Sequence, residues 1–116
     1  MMNERELDAM RLLAHSLAWA GRFAEASGLL RGILAVSPDD VQARRGLVHS
    51  LLRLGEYEEA ELLARRLAAE EKGAERIPAI FFHAHSLWGC GRLDECRATV
   101  EEYAKTLADA QVRGQA

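Results

Sequence analysis

Apolar and polar residues alternate along the chain with the spacing of amphipathic helices, in segments separated by short polar or glycine-containing stretches. In the last segment Val100, Tyr103, Ala104 and Leu107 recur three or four residues apart and share one helical face. The pattern predicts six helices, over residues 3–19, 23–36, 41–54, 57–70, 78–89 and 93–110, and a frayed tail over 111–116.

Three similar sets of residues stand at the turns within successive pairs of these helices. Each set has a glycine, a large apolar residue two places later and a small residue five places after the glycine: Gly21, Phe23 and Ala26; Gly55, Tyr57 and Ala60; Gly91, Leu93 and Cys96. The second set follows the first after about 34 residues, the length of a tetratricopeptide repeat, and the third follows after a slightly longer interval. Glycine suits each chain reversal because it enters a left-handed turn without steric cost.

The sequence therefore resembles tetratricopeptide repeat proteins. The resemblance implies an all-α fold in which three tetratricopeptide helical hairpins form a short right-handed solenoid with a concave groove. It places the repeats at about 7–40, 41–76 and 77–110, within a single domain over 1–110. The alternative is an ordinary helical bundle whose glycines coincide by chance.

Composition and charge narrow the classes of partner. The chain has 116 residues and a net charge of −3, so it lacks the basic surface that nucleic-acid binding requires. It contains no apolar run long enough to span a membrane, and its first residues lack the apolar core of a signal peptide. We therefore expect a cytoplasmic protein, in which Cys90 and Cys96 are free thiols.

Candidate binding residues emerge when the repeats are superposed, because the first helix of each hairpin in such arrays lines the concave surface. A histidine recurs at one position of all three first helices, as His15, His49 and His85. The other residues expected on or near this surface are Arg11, Arg45, Phe81, Leu52, Trp88 and Trp19. This mixture can hold a helix or an extended peptide of a protein partner through aromatic anchors and polar contacts.

Other roles for these residues stay open at this point. Trp19 and Trp88 can instead seal contacts between adjacent repeats, because aromatic side chains serve cores as well as interfaces. The three histidines can equally be polar cover over an apolar surface.

Metal binding and catalysis are not predicted. Equivalent positions on neighbouring first helices lie about 9–10 Å apart, which is too far for their histidines to share one ion. His83 and His85 stand two residues apart and should point to different faces of one helix. Cys90 has no oriented catalytic partners, and Cys96 occupies the small packing position and is expected to be buried. We therefore expect no metal, no cofactor and no enzymatic activity.

An acidic cluster opens the fourth predicted helix. It consists of Glu56, Glu58, Glu59 and Glu61. Negative charge is favourable at the positive end of the helix dipole. The cluster is therefore interpreted as a helix start and a solvated face rather than a ligand site.

The last predicted helix has no successor to cover its apolar face. Repeat arrays usually end in an additional polar helix, and six helices use nearly all of the 116 residues. We therefore expect a partner, or a second copy in a homo-oligomer, to cover this face.

The size of the chain and several short motifs resemble the YscY (SctY) family of type III secretion chaperones of bacteria. The matching elements are the Gly21 hairpin, the loop at Pro38, the Arg44-Arg45 pair leading to Leu47, the Ala60-Glu61 helix start, and the stretch from Gly91 to Tyr103. The resemblance implies a non-enzymatic chaperone in the bacterial cytoplasm. It also implies a small secreted partner resembling YscX and contact with the export gate. The alternative is a general interaction module or self-assembling scaffold without an export role.

Overall fold

The computed structural model describes residues 2–114, and its regular structure is helical. The helices are α1 (Glu4–Trp19), α2 (Phe23–Val36), α3 (Val41–Leu54), α4 (Tyr57–Glu70), α5 (Arg76–Gly89) and α6 (Leu93–Val112), with a single 3₁₀ turn at Gly73–Glu75. Each predicted helix is present, and the all-α fold class is confirmed. A capping box starts α1, since Asn3 Oδ1 accepts from the Glu6 backbone N–H at 2.9 Å and Glu6 Oε1 accepts from the Asn3 N–H at 3.3 Å.

The predicted boundaries need two corrections, both in the last third of the chain. The fifth helix begins two residues before Pro78, because Glu75 at the end of the preceding 3₁₀ turn already has helical backbone angles. The sixth helix continues through Gln111 and Val112, which were expected in the tail. The rest of that predicted tail includes Gln115 and Ala116, which lie outside the described residues.

Three glycines reverse the chain between the two helices of each hairpin. Gly21, Gly55 and Gly91 have φ angles of 79°, 77° and 76°, in the left-handed region. The prediction from their spacing is confirmed. A side chain at any of these positions would be strained, which explains why glycine recurs there.

The described chain forms two compact units, one ending at Gly55 and the other starting at Glu56. In the first unit α2 packs against both α1 and α3, and in the second unit α5 packs against both α4 and α6. Alanines occupy several of the most buried positions, among them Ala14, Ala26, Ala60 and Ala84. Small side chains there allow the helices of a hairpin to approach closely.

Glu61 is buried, so the prediction that the acidic cluster forms a solvated face is wrong for this residue. Its side chain is 3% exposed, and its two oxygens lie 2.9 Å from His83 Nε2 and 3.1 Å from Arg92 Nη1. Arg65 Nε lies 3.5 Å away. The carboxylate therefore links α4 to α5 and to the start of α6, while Glu56 and Glu58 are exposed as expected.

Asp40 joins the start of α3 to α1. Its Oδ1 accepts from the Ala43 N–H at 3.0 Å, and its Oδ2 accepts from Arg11 Nε at 2.7 Å. Burial alone would raise the pKa of Asp40, but the Ala43 N–H and the Arg11 guanidinium outweigh it and hold the pKa below its ordinary value. The carboxylate thus serves both as a helix cap and as half of an ion pair.

The stabilisation from Asp40 should disappear in acid. Because its folded-state pKa is lowered, the unfolded chain binds more protons, so the contribution is full above the ordinary carboxyl range and is lost as the pH falls below about 4. Asp40→Asn keeps the cap but loses the ion pair, and we expect it to cost about 1 kcal/mol of unfolding free energy at pH 7. Urea unfolding of both proteins between pH 3 and 7 tests this, and a difference that stays constant down to pH 3 would contradict it.

Candidate functional site

A cavity of about 360 Å³ opens between α1 and α3 in the first unit. Arg11, His15 and Trp19 line it from α1, where they stand four residues apart on one face, and Arg45 and His49 line it from α3. Its remaining walls are mainly small or apolar residues, including Ala14, Ala18, Leu30 and Gly46. This first-unit cavity therefore brings together five of the nine residues proposed from the sequence.

Arg11 is largely engaged within the protein. Besides the bond to Asp40, its Nη1 lies 2.6 Å from Asp8 Oδ1 and 3.4 Å from Glu4 Oε1. Three carboxylates offset its charge. Arg11 thus shapes the wall of the first-unit cavity and ties α1 to α3, and it offers little charge to an acidic ligand.

His49 and Arg53 both pack on Phe23, the first residue of α2. The His49 and Phe23 rings meet edge to face with centroids 5.8 Å apart, and the Arg53 guanidinium carbon lies 4.8 Å from the centre of the Phe23 ring. These contacts fix the orientation of His49 at the cavity wall. His15, its counterpart on α1, is exposed.

The two tryptophans are both exposed, although not equally. The Trp19 side chain is 87% exposed, so it does not serve as a packing residue within the described chain. Trp88 is 57% exposed and meets the rings of Tyr57 at 6.3 Å and His85 at 6.1 Å. Trp88 therefore packs on neighbouring rings with part of its surface and leaves the rest exposed.

A second cavity, of about 550 Å³, lies between α5 and α6. Phe81, His85 and Trp88 line this second-unit cavity from α5, together with Ala84. The α6 side is formed by Cys96, Val100 and Tyr103. Phe81 is 50% exposed and Val100 is 48% exposed, so the surface is both apolar and open.

Two sequence-based assignments change in the structure. Leu52 is only 4% exposed and lines neither cavity, so it is a core residue and does not belong to the candidate binding surface. Cys96 was expected to be buried, but it is half-buried on the wall of the second-unit cavity, where its Sγ donates to the Ala84 carbonyl at 3.3 Å. Cys96 is more exposed than Ala26 and Ala60 because α3 packs on α2 and α5 packs on α4, whereas no further α-helix of the described chain packs on α6.

His83 and His85 point to different sides of α5, as predicted. His83 reaches Glu61, whereas His85 lies among Tyr57, Phe81 and Trp88. Over residues 2–114, no three His, Cys, Asp or Glu side chains are grouped closely enough to hold a metal ion. No helix in that same range has the length and apolar character to cross a bilayer.

The nine candidate binding residues leave out the α6 side of the second-unit cavity, although Val100 and Tyr103 belong to the face that we expect a partner or a second copy to cover. The signal was present, because Val100 and Tyr103 occupy the repeat positions of Leu30 and Ile33, which are 6% and 0% exposed in the first unit.

Comparison with known protein families identifies the repeats. Residues 17–80 match the tetratricopeptide repeat, and residues 81–102 match a second tetratricopeptide repeat pattern. The chain matches no curated protein.

Proposed function

The chain belongs to the tetratricopeptide repeat family of protein-interaction modules, and from this we propose that it is a non-enzymatic chaperone that binds a segment of one dedicated protein partner. The first-unit cavity is the proposed site for that segment. Its wall residues are His15, Arg45 and His49, with Trp19 at the rim.

The open ring of Trp19 beside this cavity is the observation that carries the proposal. A tryptophan that is 87% exposed contributes little to folding, whereas tryptophans at protein interfaces are among the residues that contribute most to binding. A partner side chain placed in the cavity would bury the Trp19 ring against the small residues Ala14 and Ala18. A helix or an extended peptide of the partner can supply such a side chain.

The resemblance to the YscY family supports a more specific role. In this proposal the partner is a small secreted protein resembling YscX, which the chaperone keeps competent for export and brings to the export gate. The alternative, a general interaction module or scaffold, shares the cavity but has no export role.

Filling the first-unit cavity should weaken partner binding strongly. Ala18→Trp places a large ring against the walls formed by α1 and α3, and we expect a loss of at least about 2 kcal/mol, or roughly thirtyfold, in affinity for a coexpressed YscX-like protein. Isothermal titration calorimetry measures this. The matched control is Ala35→Trp, at an exposed position of α2 that lines neither cavity.

Helicity and thermal unfolding of both variants establish that they are folded. Normal partner affinity in a folded Ala18→Trp protein would rule out the first-unit cavity as the binding site.

A secretion experiment distinguishes the export chaperone from the general scaffold. A host strain lacking the chain should fail to secrete the partner, and the wild-type protein but not Ala18→Trp should restore secretion; unchanged secretion in the deletion strain would favour the scaffold.

A further inference from the structure

A stripe of four residues on α1 is exposed, although its equivalents on α3 and α5 are mostly buried. This α1 stripe consists of Ala9, Leu12, Leu13 and Ser16. The repeat register aligns it with Ala43, Gly46, Leu47 and Ser50 on α3, and with Ala79, Phe82, His83 and Ser86 on α5. Alanine and serine thus recur at both ends of the stripe in all three first helices.

Burial separates the first copy of the stripe from the other two. Ala43 and Ser50 are 2% and 0% exposed, and Ala79 and Ser86 are 1% and 0% exposed. On α1, by contrast, Leu12 is 67% exposed and Leu13 is 51% exposed. The α1 stripe therefore has the composition of a packed face without a packing partner in the described chain.

The equivalent faces of α3 and α5 pack on the second helix of the preceding hairpin. In the first unit, a Cβ at Gly46 would lie 3.3 Å from Leu30 of α2. In the second unit, His83 of α5 meets Glu61 of α4. A first helix thus uses this stripe to dock on a second helix.

An aromatic contact repeats beside the stripe. His49 and Arg53 pack on Phe23, and at the same repeat positions His85 contacts Tyr57 while Gly89 lies so close that a Cβ would overlap the Tyr57 ring. The third set of positions is His15, Trp19 and Leu93.

This third set is open on both sides. Trp19 is 87% exposed on α1, and Leu93 is 59% exposed on α6. In the first two sets the second helix supplies the ring and the first helix supplies Arg53 or Gly89. In the third, α6 supplies only a leucine and α1 supplies the tryptophan. The aromatic side chain thus stands on the first helix in the third set and on the second helix in the other two.

We propose that α1 of one copy docks into the second-unit cavity of another copy, in the place that a following first helix takes on α2 and on α4. The α1 stripe would cover Val100 and Tyr103, and Trp19 would pack on Leu93. The contact is head to tail, because it joins different surfaces of the two copies, and each copy keeps one surface of each kind free for further assembly. This proposal goes beyond the proposed function, since Leu13 and Val100 lie outside the first-unit cavity, and Trp19 is the residue that the two proposed contacts share.

A single charge on either surface should weaken assembly. Sedimentation velocity of the wild-type chain, from micromolar to near-millimolar concentration, should show species growing beyond a dimer. Leu13→Glu and Val100→Glu should each raise the dissociation constant at least tenfold, because each buries an unpaired carboxylate at the contact. Leu62→Glu, at an exposed leucine of α4, is the matched control and should assemble normally.

Mixing the two variants distinguishes a head-to-tail contact from a symmetric one. Leu13→Glu retains an intact second-unit cavity and Val100→Glu retains an intact α1 stripe, so an equimolar mixture should form a one-to-one dimer and nothing larger. A wild-type chain that stays monomeric over this range, an effect of only one of the two variants, or a mixture without dimers would overturn the proposal. If a glutamate variant loses helicity, Leu13→Gln and Val100→Thr supply the same comparison.

Discussion

Replacing Glu61 with Ala should lower the free energy of unfolding by about 3 kcal/mol. Removing one partner of a buried ion pair typically costs about 3–5 kcal/mol because the other partner loses its compensation. The lower end applies here, since Arg92 is 37% exposed and can turn to water and to Glu95, which it already contacts at 2.6 Å. His83 is the group that is left in a poorer environment, at 18% exposure.

Urea unfolding followed by circular dichroism measures this cost. Glu58→Ala is the matched control, because Glu58 belongs to the same acidic cluster but is exposed, and its loss should change stability by less than about 0.5 kcal/mol. Similar values for the two variants would show that the Glu61 carboxylate does not hold α4, α5 and α6 together.

Replacing Gly89 with Ala should cost about 2–3 kcal/mol, although alanine is the better helix former. The new Cβ would overlap the Tyr57 ring, and inserting a methyl group into a closely packed site typically costs about 1–3 kcal/mol. The ring cannot move aside freely because Trp88 and His85 also pack on it. The overlap therefore outweighs the gain in helix propensity of at most about 1 kcal/mol.

The same exchange at Gly28 should have the opposite sign. Gly28 lies in the middle of α2 and a Cβ there would meet nothing within 4 Å, so Gly28→Ala should stabilise the protein by about 0.5–1 kcal/mol.

A Tyr57→Leu background should remove most of the cost of Gly89→Ala, because leucine stands at the equivalent position 93. The unfolding free energies of the wild type, Tyr57→Leu, Gly89→Ala and the double variant give the coupling between positions 57 and 89. Equal effects of Gly89→Ala in both backgrounds would contradict the proposed clash.

The helices and turns could be predicted because their signals are local. Asn3 and Glu6 form a cap within four residues, and the recurring glycines mark chain reversals that no other residue enters as readily. Leu47 and Leu51 are buried, as a shared apolar face requires. The tetratricopeptide repeat family followed from the same local signals and is confirmed, whereas the domain limits 1–110, the cytoplasmic location and the partner stay predictions.

Burial was harder to predict because it depends on what lies next to a position, and the repeat register does not show this. Leu13 and Leu47 are equivalent in the register, yet one is 51% and the other 4% exposed. Leu52 and Trp88 are also equivalent, and only Trp88 reaches a cavity. Glu61 appeared to belong to an acidic surface because its partners, His83 and Arg92, lie more than twenty residues further along the chain.

α1 and α6 bury few of their side chains, and this also determines where the folded protein opens locally. Leu7 and Ala14 are the buried residues of α1, and Ala110 is the buried residue of the longer α6, whereas α3 buries six of its 14 residues. Helices with so little buried side-chain surface open locally at a lower free energy than global unfolding requires, so their amide hydrogens exchange with solvent first. Slow exchange should therefore be concentrated in the middle helices of the free chain. Any partner or second copy that docks on α1 or α6 should be visible as added protection of the amides in those two helices.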